Sequence, residues 1–302
     1  MNIVTLTLNP AFDIHCRAER FLQGHENLAH ISHRQAGGKG VNISRALSAN
    51  GIENRALLIL GEENSEEFEK ALDGIQYRKI TVHGRIRENI TIHADSGEET
   101  RLSFPGFRAM PGLLESVCRM LEDLCGSDSV VTMTGRIPEG MDIREVKRML
   151  KALNTRLVMD SRSFDLDDLR EMKPWLIKPN QEEISQYLGM QIETMGQAAQ
   201  QAQKLHGMGI SNVMVSMGAE GAVLACNEGT FVARPPKRTV RSTIGAGDSM
   251  IAGFLAAMDA EAATRLKTAV AYGTAACMTE GTLPPEPVTV MEILTETEVK
   301  EI

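Results

Sequence analysis

Hydrophobic positions in this chain fall into short, solid apolar runs separated by stretches in which apolar residues recur every three or four positions. Ile3 to Leu8 is the first solid run, and Asn9-Pro10 ends it, so it reads as a buried strand. Ala56 to Leu60, Val130 to Thr134, Leu157 to Ser161 and Val213 to Ser216 repeat the pattern, and Trp175-Leu176-Ile177 is a shorter version. Between them, Leu114, Val117, Leu121 and Leu124, then Ile143, Val146, Leu150 and Leu153, form stripes at helical spacing. Asn64 with Glu67 predicts a capping box, and Glu182 to Leu188 a short helix. Met250 to Met258 and Met291 to Glu301, the latter after the break Pro284-Pro285-Glu286-Pro287, predict two more helices. Strands alternating with helices predict an α/β fold with a mostly parallel sheet covered on both faces. Polar residues and glycines repeatedly follow the strand ends, the edge where open α/β sheets hold ligands.

A different pattern interrupts this rhythm. Residues 14 to 34, Tyr77 to Ile80, Asn89 to His93 and Thr100 to Phe104 alternate apolar with polar, and Asp95-Ser96-Gly97 supplies a hairpin turn. They predict a small separate β-sheet made from two insertions, about 12–34 and 77–106, serving as a lid on one large domain spanning 1–302. His15, His25, His30, His33, His83 and His93 show no metal spacing, and His30 and His33 on one strand are expected to face opposite sides. Packing is the expected role for all of them.

Composition narrows the class. The net charge of −8 gives a nucleic-acid surface no bulk support. Five cysteines without a CxxC pair predict reduced thiols. No apolar run is long enough for a membrane span, and the first residues lack the basic and apolar regions of a secretory leader, so a soluble cytoplasmic protein is expected. The 17 methionines fall among Leu and Ala and read as core filler.

The chemistry concentrates in a few loops. Thr243-Ile244-Gly245-Ala246-Gly247-Asp248-Ser249 opens a helix, so its glycines can gather bare N–H groups where the helix dipole favours an anion. Asp248 at that point is either a general base for a hydroxyl or an ordinary helix cap. Gly37-Gly38-Lys39-Gly40-Val41-Asn42 precedes a helix through Ala49; Lys39 suits a phosphate and Asn42 sugar hydroxyls. It matches neither a Walker A loop nor a clean GxGxxG. Asp13, just past the first strand, reads as a polyol acceptor or as a turn residue. Asn180 and Glu183 read as organisers of water around Mg2+, or as a helix N-cap pair. Ser216-Met217-Gly218-Ala219-Glu220-Gly221 lets backbone approach a nucleotide, or makes a tight turn.

Taken together and in this order, Leu6 to Asp13, Gly37 to Asn42, Lys178-Pro179-Asn180 with Glu183, Ser216 to Gly221 and Thr243 to Asp248 resemble the ribokinase-like sugar kinases, in the phosphofructokinase B branch. The resemblance spans essentially the whole chain. It implies a three-layer α/β domain with a small β lid that pairs in homodimers, and transfer of phosphate from ATP, with Mg2+, to a small sugar phosphate. It implies Asp248 as catalytic base and Gly245, Ala246 and Gly247 as anion hole. Asp13, Gly38, Lys39, Asn42 and Arg87 match substrate positions. Lys178, Asn180, Ser216 to Gly221 and Thr243 match nucleotide positions, and Glu183 with Asn180 the metal pair. Within the branch the chain is most similar to enzymes of fructose 1-phosphate, with kinases of tagatose 6-phosphate next and fructose 6-phosphate a further alternative. One departure concerns the acceptor: the branch usually reads Gly-Ser-Leu-Pro where this chain has Gly135-Arg136-Ile137-Pro138.

Overall fold

The computed structural model describes residues 2–97 and 99–302. Its large sheet has ten strands. From one edge they run Glu298–Glu301, Gly229–Arg234, Ala222–Cys226, Asn212–Ser216, Leu176–Ile177, Arg156–Asp160, Val130–Thr134, Ile3–Thr7, Arg55–Gly61 and Tyr77–Val82. Every pairing from Asn212–Ser216 to Tyr77–Val82 is parallel, and the three at the other end are antiparallel. Adjacent residues on a strand point to opposite faces. Ile3, Val130, Val158 and Met214 therefore pack with the helices Lys39–Ala49, Ala246–Ala256 and Ala262–Cys277. Val4, Val131, Met133 and Met159 pack on the other side with Leu113–Leu124, Ile143–Ala152 and Met195–Gly207. Both faces being covered explains why the strands read as solid apolar runs. Among the described residues, no helix is long and apolar enough to cross a membrane.

The small sheet has four strands, in the order His30–Gly37, Ala11–Ala18, Arg87–Ala94 and Glu99–Ser103. The expected small separate sheet is thus present, with a correction to its membership. Tyr77–Val82 pairs in parallel with Arg55–Gly61 and belongs to the large sheet. It is an edge strand whose outward residues meet solvent, and that gives the same alternation as a lid strand. The first lid strand starts at Ala11 and the second runs to Gly37, so the insertion is wider than 12–34. His30 and His33 are also corrected. The register shifts between His15 and Cys16, so His33 faces His15 and His30 faces Arg17, which puts both on one side.

Two helix expectations change as well. Asn64 does not cap its helix with its side chain; it bonds both the carbonyl and the N–H of Ile86, at 3.1 and 2.8 Å. The C-terminal helix is Pro287–Glu296, started by a proline that needs no N–H there, and Glu298–Glu301 then joins the large sheet as its edge strand. Met250 to Met258 shifts to Ala246–Ala256, so the glycine loop runs straight into the helix.

Candidate active site

The parallel strands deliver their carboxyl ends to one edge, and there the site assembles. Gly245, the N-cap of the helix Ala246–Ala256, has φ +79°, a conformation that L side chains rarely adopt. The first N–H groups of a helix have no intrahelical acceptors; here Ala246 N donates back to Thr243 O at 3.4 Å. Asp248 lies in that first turn, buried at 7% exposure, and its Oδ2 accepts from Asn42 Nδ2 at 2.9 Å. Burial pushes the Asp248 carboxyl up to about 6, against the pull of Lys39, with Asp160 adding to the rise. A carboxylate with that affinity is poised to take a proton near neutral pH, as a general base requires. The cap-only alternative does not describe it: among the described residues its side chain makes no capping hydrogen bond to the helix and accepts from the Asn42 side chain instead.

Beside it lies a buried ion cluster whose centre, Asp160, the motifs did not reveal. Lys39 Nζ donates to Asp160 Oδ1 at 2.8 Å, and Lys178 Nζ is 3.7 Å from Oδ2. Asp160 and Lys178 are almost completely enclosed. Burial opposes the Asp160 charge, but Lys178 and Lys39 outweigh it and hold the carboxyl below its ordinary value. Burial opposes the Lys39 charge too, and Asp160 with Asp248 reverses that and raises the ammonium's affinity for its proton. At 3.7 Å the Lys178 contact is an ion pair without a hydrogen bond, and Asp160 Oδ2 has no hydrogen-bond partner. Lys178 also closes on the anion loop, since a Cβ at Gly247 would lie 2.9 Å from its Nζ.

A second polar cluster lies on the small sheet. Asp13 is buried, and its Oδ1 accepts from Asn89 Nδ2 at 2.9 Å and lies 3.8 Å from Arg101 Nη2. A Cβ at Gly37 would sit 2.0 Å from Asp13 Oδ2, so glycine is what lets the carboxylate lie against the backbone before the helix Lys39–Ala49. Gly38 is the N-cap of that helix. Arg87 donates to Asn9 O at 3.3 Å and to Asn89 Oδ1 at 3.0 Å.

On the other side a cavity of about 810 Å³ opens between the sheet edge and the helix Ala262–Cys277. Its size is that of a small-molecule site. Lys178, Asn180, Ser216, Gly218 to Gly221, Thr243, Ala246 and Gly247 line it, so the structure brings these motif residues together. Met217 does not: its side chain is in the core, while its N–H closes the turn on Gly221 O at 2.8 Å. Sequence reasoning missed the opposite wall, including Pro236, Lys237, Gly273 and Thr274. No motif marks these residues; Gly273, inside a helix, was the available signal.

Asn180 and Glu183 form a reciprocal capping box on the helix Gln181–Leu188. Glu183 Oε2 accepts from Asn180 N at 3.1 Å and Oε1 from Arg162 Nε at 3.1 Å. Among the described residues no cluster of His, Cys, Asp and Glu makes a complete metal cage. Mg2+ does not need one, because it keeps waters and phosphate oxygens as ligands. Asp160 Oδ2, which has no hydrogen-bond partner, and the oxygens of the Asn180–Glu183 cap are the groups such an ion would meet, the latter through water.

Residues 7–288 match the model of the pfkB family of carbohydrate kinases. The chain is 32% identical over 277 residues to a 1-phosphofructokinase of Vibrio cholerae, covering 89% of this chain and 87% of that protein. It is 31% identical over 259 residues to a 1-phosphofructokinase of Bacillus subtilis, covering 84% of each. Its fold superimposes on phosphofructokinase-2 from Escherichia coli, solved with substrates and products, with a TM-score of 0.91 at 24% identity, over 98% of this chain and 99% of that one.

Proposed function

This chain belongs to the pfkB family of carbohydrate kinases, and on that premise we propose that it transfers the γ-phosphate of ATP to fructose 1-phosphate, giving fructose 1,6-bisphosphate. The observation that carries the chemistry is Asp248, a buried carboxylate in the first turn of the helix Ala246–Ala256, which a glycine turn opens. The acceptor sugar lies between Asp13, Gly38 and Asn42, with Lys39 and Arg87 towards its phosphate. Asn42 holds Asp248 in position, and Asp248 takes the proton of the attacking hydroxyl. The N–H groups from Gly245 to Gly247 and the Lys178 ammonium meet the charge on the moving phosphoryl group. The glycine turn at Gly218 to Gly221 and the wall from Ala262–Cys277 hold the nucleotide. Asp160 and, through water, Asn180 with Glu183 would hold Mg2+, which supplies charge neutralisation on the nucleotide phosphates. The lid keeps water, the competing acceptor, out of the site.

The substrate assignment rests on the named relatives and on the positive charge at the acceptor end. A coupled assay of ADP release, comparing kcat/KM for fructose 1-phosphate, fructose 6-phosphate and tagatose 6-phosphate, tests it. Fructose 1-phosphate is expected to lead by at least tenfold. A lead for either 6-phosphate overturns the substrate and keeps the chemistry.

The same reading includes a homodimer closed through the lid. The lid face opposite Asp13 carries Ile14, Ile90 and Leu102 in one row and Cys16, Ile92 and Ile31 in another. Ile31 is 62% and Leu102 43% exposed, with Phe104 also open beyond the strand. Ile14 and Cys16 are buried in the chain's own core, and the exposed apolar residues beside them are the surface this reading gives to the interface. Light scattering is expected to give a dimer mass, and Ile31→Asp with Leu102→Asp a monomer. A dimer that survives both changes removes the lid from the interface.

A further inference from the structure

The small sheet meets the body of the protein through a histidine that no step of the phosphoryl transfer uses. His15 is buried, two residues along the strand Ala11–Ala18 from Asp13. Its Nδ1 lies 3.0 Å from His93 Nε2, within hydrogen-bond distance, and the two rings stack with centroids 5.4 Å apart. His93 Nδ1 in turn lies 3.5 Å from Glu99 Oε2. A carboxylate there favours the tautomer with the proton on His93 Nδ1. His93 Nε2 then accepts from His15 Nδ1, and His15 Nε2 keeps its lone pair. That nitrogen faces the body: a Cβ at Gly281, which has φ +58°, would lie 3.5 Å from His15 Nε2 and 3.9 Å from Gln35 Nε2. Gln35 Oε1 accepts from His33 Nε2 at 2.8 Å, while the buried Gln35 Nε2 has no hydrogen-bond partner among the described residues. The next residue, Thr282, is buried against the glycine turn, since a Cβ at Gly245 would lie 3.5 Å from Thr282 Cγ2. A chain of contacts therefore runs from Glu99 on the small sheet to the N-cap of the helix that carries Asp248.

We propose that His15 is a positioning residue: neutral, it ties the small sheet to Gly281 and Thr282 and so steadies the glycine turn at Gly245; protonated, it lets the sheet lift. The inference rests on the reading of the small sheet as a lid over the acceptor. A proton taken up by His15 goes to Nε2, where Gln35 Nε2 beside it is also a donor and offers it no acceptor. Burial, and then the His93 imidazole, hold His15 below its ordinary value; Asp13 and Glu99 pull the other way, and His33 adds to the lowering. Arg17, on the same strand, and Arg241 and Glu280, on the body, line the same cavity of about 800 Å³. Lifting the sheet exposes His15 to water, where it binds a proton at its ordinary value of 6.5. The lifted state thus binds the proton more tightly than the closed one. Closure is at full strength above that value and is lost as the pH falls below it.

The test compares the wild type with His15→Asn, whose amide keeps a donor for His93 but takes up no proton near neutral pH. KM for the preferred sugar phosphate is measured at pH 7.5 and 5.5, with KM for ATP alongside. The sugar's phosphate and Asp248 titrate in this range too, but in both proteins, so the ratio between the proteins isolates His15. At pH 7.5 the two acceptor KM values are expected to agree within about threefold. At pH 5.5 the wild-type value is expected to exceed that of the variant about three- to tenfold, about tenfold being the limit one pH unit below the ordinary value. KM for ATP is expected to stay alike in the two proteins at both pH values. Hydrogen exchange without ligands, scaled to the chemical rate at each pH, reads the same event in the wild type alone. Protection at 281–283 and across the small sheet is expected to drop between pH 7.5 and 5.5. An acceptor KM ratio that is the same at both pH values overturns the proposal, as does wild-type protection that does not change. If none of the three sugar phosphates is turned over, the substrate assignment fails while the exchange measurement still decides the tie.

Discussion

Asp248→Asn is expected to lower kcat by roughly 10²- to 10⁴-fold, leave sugar-phosphate binding in place, and make the protein more stable at neutral pH. The loss follows from the role of the carboxylate: no other described carboxylate shares the first turn of the helix Ala246–Ala256. The gain follows from its burial. Asp248 is pushed from 3.8 to about 6, so above that pH the folded protein carries a charge the unfolded chain holds more easily. The difference corresponds to roughly 3 kcal/mol at neutral pH. Between the ordinary value and about 6 the folded state binds the extra proton, so stability falls as pH rises through that window, and the penalty is complete above it. The variant lacks the penalty. Its melting temperature is therefore expected to exceed the wild type's at pH 7, with the gap closing below about pH 4. The same protonation gives wild-type kcat/KM an acid limb near pH 6 for the free enzyme. Near-normal turnover in Asp248→Asn would remove the base from the mechanism. A melting gap unchanged between pH 7 and pH 4 would show that the buried charge is not its source.

The Asp248 loop was legible because its motif is local: glycine, alanine, glycine and carboxylate are adjacent, and the turn they need is itself the start of the helix Ala246–Ala256. The buried parallel strands were legible because burial on both faces leaves an unbroken apolar signature. Tyr77–Val82 was misassigned because the edge strand of a large sheet and a strand of a small one both have a wet side. Met217 stands apart from its neighbours because a motif names a run of residues, whereas the turn sends the Met217 side chain to the core and leaves Ser216 and Gly218 to Gly221 on the cavity. Asp160 was missed for a different reason. In sequence it is merely the polar end of a strand, and its partner Lys39 is 121 positions away. Only the sheet order, which places Arg156–Asp160 beside Leu176–Ile177 and one strand from Ile3–Thr7, brings the two lysines to it.

That cluster carries the second large prediction: Asp160→Asn is expected to destabilise the protein by about 3–5 kcal/mol and to shift the acid limb of activity below pH 6. The carboxylate stands between two ammoniums, and Lys178, at 4% exposure, loses its nearest counter-charge once Asp160 is neutral. Removing one partner of a buried pair leaves an uncompensated charge, whereas removing both does not. The double variant Asp160→Asn with Lys178→Met is therefore expected to recover most of the lost stability without recovering activity, because Lys178 also meets the anion loop at Gly247. The shift of the acid limb separates an electrostatic role from simple damage to the fold. Asp160 raises the proton affinity of Asp248 while Lys39 and Lys178 lower it, so Asp160→Asn leaves only the lowering influences of that trio. Residual activity of the single variant is expected to persist to more acid pH than that of the wild type. An acid limb that stays near pH 6 would mean that Asp160 does not communicate with the base. A double variant no more stable than the single one would mean that the Lys178 charge is not what Asp160 holds in check.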